Sequence, residues 1–193
     1  MTSHANWTGI IRKLLPSEWE QFRDHLLRLD PSSRRMRFAH AVSEGFLTAY
    51  AKSMADNETI IYGYIDDGQI GAVAELRRIG NVWGDHAEAA FSVEAAYRDK
   101  GIATELLGRV IRSARNRGVS HLIMNCLAEN AKMQAVARHY DAELRFESGD
   151  VIAEILPAAA SAISVFSEAM EDRMGYLMAV FDLRAKAAAS KAA

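Results

Sequence analysis

The chain has 193 residues, half of them hydrophobic, and a net charge of −2: enough apolar material for one domain with room for an appendage, and no electrostatic case for nucleic acid or an anionic membrane surface. Its single cysteine, Cys126, excludes an internal disulfide framework. No apolar run reaches the ~18 residues of a membrane span, and the start, Met-Thr-Ser-His-Ala-Asn-Trp, lacks the basic end and apolar run of a signal peptide, so a cytoplasmic location is expected.

Thr8 to Leu15 reads as a first strand. Pro16-Ser17-Glu18 then starts a helix, with Ser17 as cap and Trp19, Phe22, Leu26 and Leu27 as its apolar stripe. Asp30-Pro31-Ser32-Ser33 ends it and caps a second helical stretch, from about Arg34 to Met54, with room for one break. The period then changes. Glu58 to Ile65 and Gln69 to Arg77 alternate as strands around the turn Asp66-Asp67-Gly68. Ala87 to Val93 is the next strand, and Ile102 to Asn116 is an amphipathic helix closed by Arg117-Gly118. Ser120 to Leu127 is an apolar strand, Asn130 to Tyr140 a short helix, and Glu143 to Glu147 pairs with Val151 to Ile155. The centre is therefore a strand, a helical crossover and a strand, in a mixed sheet with helices on both faces.

After Leu156-Pro157 the composition shifts, which divides the chain into residues 1–155 and a helical extension, 156–193. In the extension Ile163, Phe166, Met170, Met174, Leu177 and Phe181 make one apolar stripe, interrupted in composition only by Gly175. Such a helix packs back on its own domain, forms a homodimer seam or covers a substrate. From Ala185 the Ala/Lys/Ser tail is expected to fray.

The run Tyr97-Arg98-Asp99-Lys100-Gly101-Ile102-Ala103-Thr104 joins the central strand to its helix. The first N–H groups of a helix lack intrahelical partners and sit at the positive end of its dipole, so a basic, glycine-containing entry makes a phosphate site. The spacing Arg98-x-x-Gly101-x-Ala103, with the strand before it and Asn130 after the next strand, resembles the pyrophosphate motif of the GCN5-related N-acetyltransferase (GNAT) superfamily. The resemblance runs from about Thr8 to Ile155 and is most specific from Ala87 to Ala131. It implies an α/β (α+β) fold with a mixed, mostly antiparallel sheet and helices on both faces, to which the C-terminal helix is added. It also implies an acetyl-CoA-dependent enzyme without a metal.

By that resemblance the backbone of Asp99, Lys100, Gly101, Ile102, Ala103 and Thr104 holds the pyrophosphate, with added charge from Arg98 and Lys100. Phe91, Ser92 and Val93 pair with the amides of the pantetheine arm, and Asn130 hydrogen-bonds that arm or caps its helix. Bacterial protein-lysine acetyltransferases of the superfamily carry a catalytic Glu in a stretch like Ala87-Glu88-Ala89-Ala90, which makes Glu88 the candidate base. A solvated strand-end carboxylate is the other reading of Glu88. His86 and Asp85 are rivals, and Glu75 is a candidate to stand across from Glu88 and receive a cationic acceptor. The family's tyrosine acid is replaced by Ala137, which leaves Tyr140 as the candidate proton donor to the thiolate, and the usual Gly-Phe is Asp141-Ala142. The Val93 N–H is the implied oxyanion donor.

The expected function is direct transfer of acetyl from acetyl-CoA to an amine, a protein lysine or a small molecule. The alternative is a non-catalytic acyl-CoA sensor or interaction module on the same fold.

Overall fold

Alternating and fully apolar runs set the strands, and their order sets the sheet. The computed structural model describes residues 7–56 and 59–192. Glu58, the expected start of the second strand, and Met1 to Asn6 lie outside the described residues. The strands are β1 (Ile10–Lys13), β2 (Ile60–Asp66), β3 (Gln69–Arg78), β4 (His86–Val93), β5 (His121–Leu127), β6 (Glu143–Glu147) and β7 (Asp150–Ile155). They form one sheet in the order β1-β2-β3-β4-β5-β7-β6. Only β4 and β5 run parallel, joined by the helical crossover, and every other pair is antiparallel. The mixed α/β fold with its C-terminal helix is as the sequence implied.

The helices are α1 (Trp19–Arg28), α2 (Pro31–Phe38), α3 (Glu44–Asp56), α4 (Ile102–Arg115), α5 (Ala131–Arg138) and α6 (Ala162–Ala192). The helical stretch expected from about Arg34 to Met54, with room for one break, is two helices, because Ala39 takes a left-handed turn at φ 62° and stops α2. Asp30 caps α2 by accepting from Ser33 N at 2.9 Å. The sheet separates two apolar layers. Ala72, Ala74, Ala87 and Ala89 face Leu106, Leu107 and Val110 of α4. On the other side Ile61, Val73 and Ile70 meet Phe22, Leu26 and Leu47 of α1 and α3. Alternation along β4 therefore sends Glu88, Ala90 and Ser92 to the α1–α3 side.

Helix α6 packs on β1 and α4 through polar contacts, not through its apolar stripe. Glu168 accepts from Ser113 Oγ and Arg117 at 2.8 Å and from Asn116 at 2.6 Å. Glu171 pairs with Arg109 and Arg112, and Lys13 reaches Asp172 at 3.3 Å. The helix passes straight through Gly175, where a Cβ would lie 3.0 Å from Arg12 Cβ, so glycine here permits close approach. It also continues to Ala192, beyond the point expected to fray. Among the described residues no helix is long and apolar enough to cross a membrane.

Candidate active site

Strands β4 and β5 pair only over His86↔His121, Ala87↔Leu122 and Glu88↔Ile123. Beyond Glu88 they part, so the backbone of residues 89–93 has no neighbour on the β5 side while β3 still pairs on the other. The opening continues into a cleft of about 760 Å³. One wall is Phe91, Ser92 and Val93. The floor is the start of α4, and Asn130, Met133 and Val136 form the far wall.

The floor follows from Gly101, which adopts φ 78° as the cap of α4, a conformation suited to glycine. The first intrahelical bond there is Glu105 N to Gly101 O, 3.1 Å, which leaves the N–H groups of Ile102, Ala103 and Thr104 pointing out of the helix end. Asp99 is also left-handed, at φ 61°, and its carboxylate receives both bonds of Lys132 Nζ, at 2.6 and 2.8 Å. Arg98 lines the cleft and donates to Val93 O at 3.3 Å and to Asp30 at 2.9 Å, and also bonds Ser33, tying α2 to the cleft. Ser33 bonds keep the Asp30 carboxyl well below the usual carboxylate range. The Lys100 ammonium lies 5.4 Å over the Tyr97 ring and is not part of the cleft lining. Asn130 caps α5, accepting from Met133 N at 3.1 Å, and also lines the cleft.

Helix α2 roofs the opening with Ser32, Ser33, Met36 and Arg37, and Arg35 pairs with Glu129 across it. Arg37 connects this roof to the buried Glu75, at 2.5 Å. Glu75 is further satisfied by Tyr50 at 2.7 Å and Arg77 at 2.9 Å. The register corrects one expectation: Arg77, not Glu75, stands opposite Glu88, and Glu75 stands opposite Ala90. Burial, then Arg37, pushes the Arg77 guanidinium down to about 10, with the Glu88 charge working the other way. Glu75, Arg77 and Tyr50 line a smaller pocket of about 330 Å³ on the α1–α3 side. Glu88 itself is half-buried and belongs to neither lining. His86 lies at the closed end, stacked on His121 at 4.5 Å with its Nδ1 2.9 Å from Asp85.

The family model for the acetyltransferase (GNAT) family matches residues 14–140. The chain belongs to that family. Solved GNAT-type structures superpose on it across most of their length. The GNAT domain of S. lividans PAT is 23% identical with a TM-score of 0.68, covering 78% of this chain and 91% of that one. The acetyltransferase yncA of Salmonella typhimurium, solved with acetyl-CoA, is 15% identical at a TM-score of 0.58, covering 81% and 98%. PaiA N-acetyltransferase of Thermoplasma acidophilum, solved with coenzyme A, is 17% identical at a TM-score of 0.58, covering 78% and 99%.

For a GNAT chain the relevant fit is that of acetyl-CoA to this cleft. Free strand backbone suits an amide-bearing arm, and the outward N–H groups of α4 suit a pyrophosphate. Tyr140 lies outside the lining: its hydroxyl donates to Thr104 O at 2.8 Å, and burial raises its pKa. Asp141 takes φ 57°, the left-handed turn that the family's usual glycine would supply. Cys126 is a buried free thiol whose pKa burial raises.

No cleft role was legible in the sequence for the roof residues of α2, for Lys132 or for His25. Only His25 left a local signal: it sits three residues after Phe22 on the inward face of α1, where the stripe calls for an apolar side chain.

Proposed function

We propose that this GNAT chain is an N-acetyltransferase that passes the acetyl group of acetyl-CoA directly to an amine. The observation that carries the reading is the cleft where β4 and β5 separate, floored by the start of α4. When bound, acetyl-CoA supplies a thioester-activated acyl group. The main chain of Phe91 and Val93, which faces away from β3 on either side of Ser92, aligns its pantetheine arm. The N–H groups from Asp99 to Thr104, with Lys132 moving off Asp99, meet its phosphates. The Val93 N–H receives the developing oxyanion. Glu88 takes the proton from the acceptor ammonium, directly or through water. Tyr140 acts through Thr104, holding the first turn of α4, since its proton is committed to that carbonyl. The buried Cys126 fits a reducing compartment, the cytoplasm.

The acceptor class is a protein lysine or a small-molecule amine. Calorimetry with acetyl-CoA, followed by transfer assays on lysine peptides and a panel of small amines, tests the reading. Saturable binding and amine-dependent release of CoA are expected. Absence of acetyl-CoA binding removes the proposal, and binding without transfer to any amine favours the sensor.

We also propose that a second copy of the chain covers α6. Its polar face is consumed within the protomer, while Ile163, Phe166, Met170, Met174, Leu177 and Phe181 stay exposed, Phe166 by 67%. A standard interface takes roughly 800 Å² from each partner. Six long apolar side chains over about five helical turns offer area of that order, well beyond an ordinary surface patch. The same stripe on two antiparallel copies is self-complementary.

A further inference from the structure

Ser92, which lines the cleft, is joined to His25 and Glu94 in one connected chain behind its wall. Ser92 Oγ lies 2.8 Å from His25 Nε2. His25 Nδ1 lies 2.8 Å from Glu94 Oε1 and 3.2 Å from Ile70 O. Both neighbours of Nδ1 are acceptors, so Nδ1 carries a proton. In the neutral ring Nε2 then has only its lone pair, and the Ser92 hydroxyl must be the donor. His25 is fully buried, and Ser92, 6% exposed, is one of the cleft-lining residues.

Arg28 bonds the same Glu94 oxygen as His25, Oε1, at 3.0 Å. Burial opposes its ionisation, but hydrogen bonds from His25 and Arg28 outweigh burial and lower its pKa. A hydroxyl on a base, and that base on an orienting carboxylate, is the arrangement of an activated nucleophile. Direct amine transfer gives the Ser92 side chain no part and leaves this side-chain chain without a task.

We propose that Ser92 takes the acyl group from the bound thioester in competition with the amine, so that the chain hydrolyses acyl-CoA when no amine is present. The inference rests on the acyl-CoA reading above. Ser92 Oγ attacks the thioester carbonyl carbon and its proton passes to His25 Nε2. The C–S bond breaks with its electron pair on sulfur, and His25 returns the proton to the thiolate. The products are free CoA and an ester on Ser92. Water then attacks that ester while His25 Nε2 takes its proton. The C–Oγ bond breaks, Ser92 regains the proton, and the carboxylic acid leaves. Glu94 and Arg28 hold the His25 ring through both halves.

The test uses the full chain with acetyl-CoA and no amine. Free CoA is followed over time, and acid-quenched protein is analysed by intact mass and peptide mapping. One acetyl group on the peptide that contains Ser92, with amine-independent CoA release, is expected. Ser92→Ala should lower that release roughly 100-fold or more, and His25→Gln should lower it similarly. Rates are compared at acetyl-CoA concentrations that calorimetry shows to be saturating for each variant. The adduct is read on the unaltered chain, so it does not depend on any variant folding. Release unchanged in a folded Ser92→Ala variant, with no adduct in the unaltered chain, overturns the proposal and leaves the three residues a packing network. Failure of the unaltered chain to bind acetyl-CoA at all sinks the parent reading as well and is recognisable by itself.

Discussion

Glu88 shares its strand face with Arg77, which stands opposite it in register. A carboxylate so placed has a cation beside it and lies on the α1–α3 side of the sheet. Glu88→Gln keeps the shape and removes the base. Turnover should fall about 100-fold, with acetyl-CoA affinity by calorimetry nearly unchanged. Unaltered turnover would take Glu88 out of the mechanism. Tyr140 gives the opposite pattern. A Cβ on Gly108 would meet its hydroxyl at 2.6 Å, so Gly108→Ala pushes Tyr140 off Thr104 O. The KM for acetyl-CoA should rise several-fold while kcat and its pH profile hold. A loss of the alkaline limb of kcat would instead mark Tyr140 as a proton donor. At this scale the sequence was legible where one residue sets a local conformation, as in the left-handed cap at Gly101 and the helix cap at Asn130. It was less legible where side chains meet from distant segments. Arg98 lines the cleft but is also tied to Asp30 and Ser33, and His25 meets Ser92 only because α1 packs on β3, beside β4.

The elements were legible almost throughout, since the apolar periods are clear and most ends fall at Gly, Pro or a capping Asp. The break between α2 and α3 was not located, because it depends on a left-handed alanine that no local preference announces. That α6 packs back on its own domain was among the readings, but the face it uses was not legible, for a related reason. An apolar stripe marks the face a helix would bury, but here acidic residues of α6 meet the basic face of α4 and decide which side turns inward. Glu168 is the centre of that contact. Burial opposes its charge, but bonds from Asn116, Ser113 and Arg117 prevail and lower its pKa. A depressed carboxylate stabilises docking above its unfolded pKa, and that stabilisation is lost as pH falls through the folded value. Docking of α6 should therefore hold at neutral pH and loosen in acid below the ordinary glutamate range. Hydrogen exchange along α6 as a function of pH measures it, and Glu168→Gln should bring the loosened state to neutral pH. Equal protection of α6 at all pH values would show that Glu168 does not control docking.

For the molecule as a whole, the fold class and the place of the opening beside α4 were within reach of the sequence, because strand, motif, helix, strand and Asn130 lie close together in the chain. The outer surface was not, since it depends on which face of α6 is spent inside the protomer. Phe166→Glu together with Leu177→Glu should convert a dimer to a monomer in light scattering and leave thermal stability of the protomer within about 0.5 kcal/mol, as for exposed sites. A monomeric parent chain would end that expectation.

The early end of the β4–β5 ladder makes this sheet two half-sheets hinged near Glu88 and Ile123, β1 to β4 on one side and β5 to β7 on the other. What joins them past the hinge is helix packing and the Arg35–Glu129 bridge, without backbone bonds between the two strands. A bound acyl-CoA would act there as a rivet. Binding at about 100 times Kd adds roughly 2.7 kcal/mol, and much of it should appear as slower hydrogen exchange at residues 89–93. Temperature and ligand supply would thus set how firmly the two halves are held together.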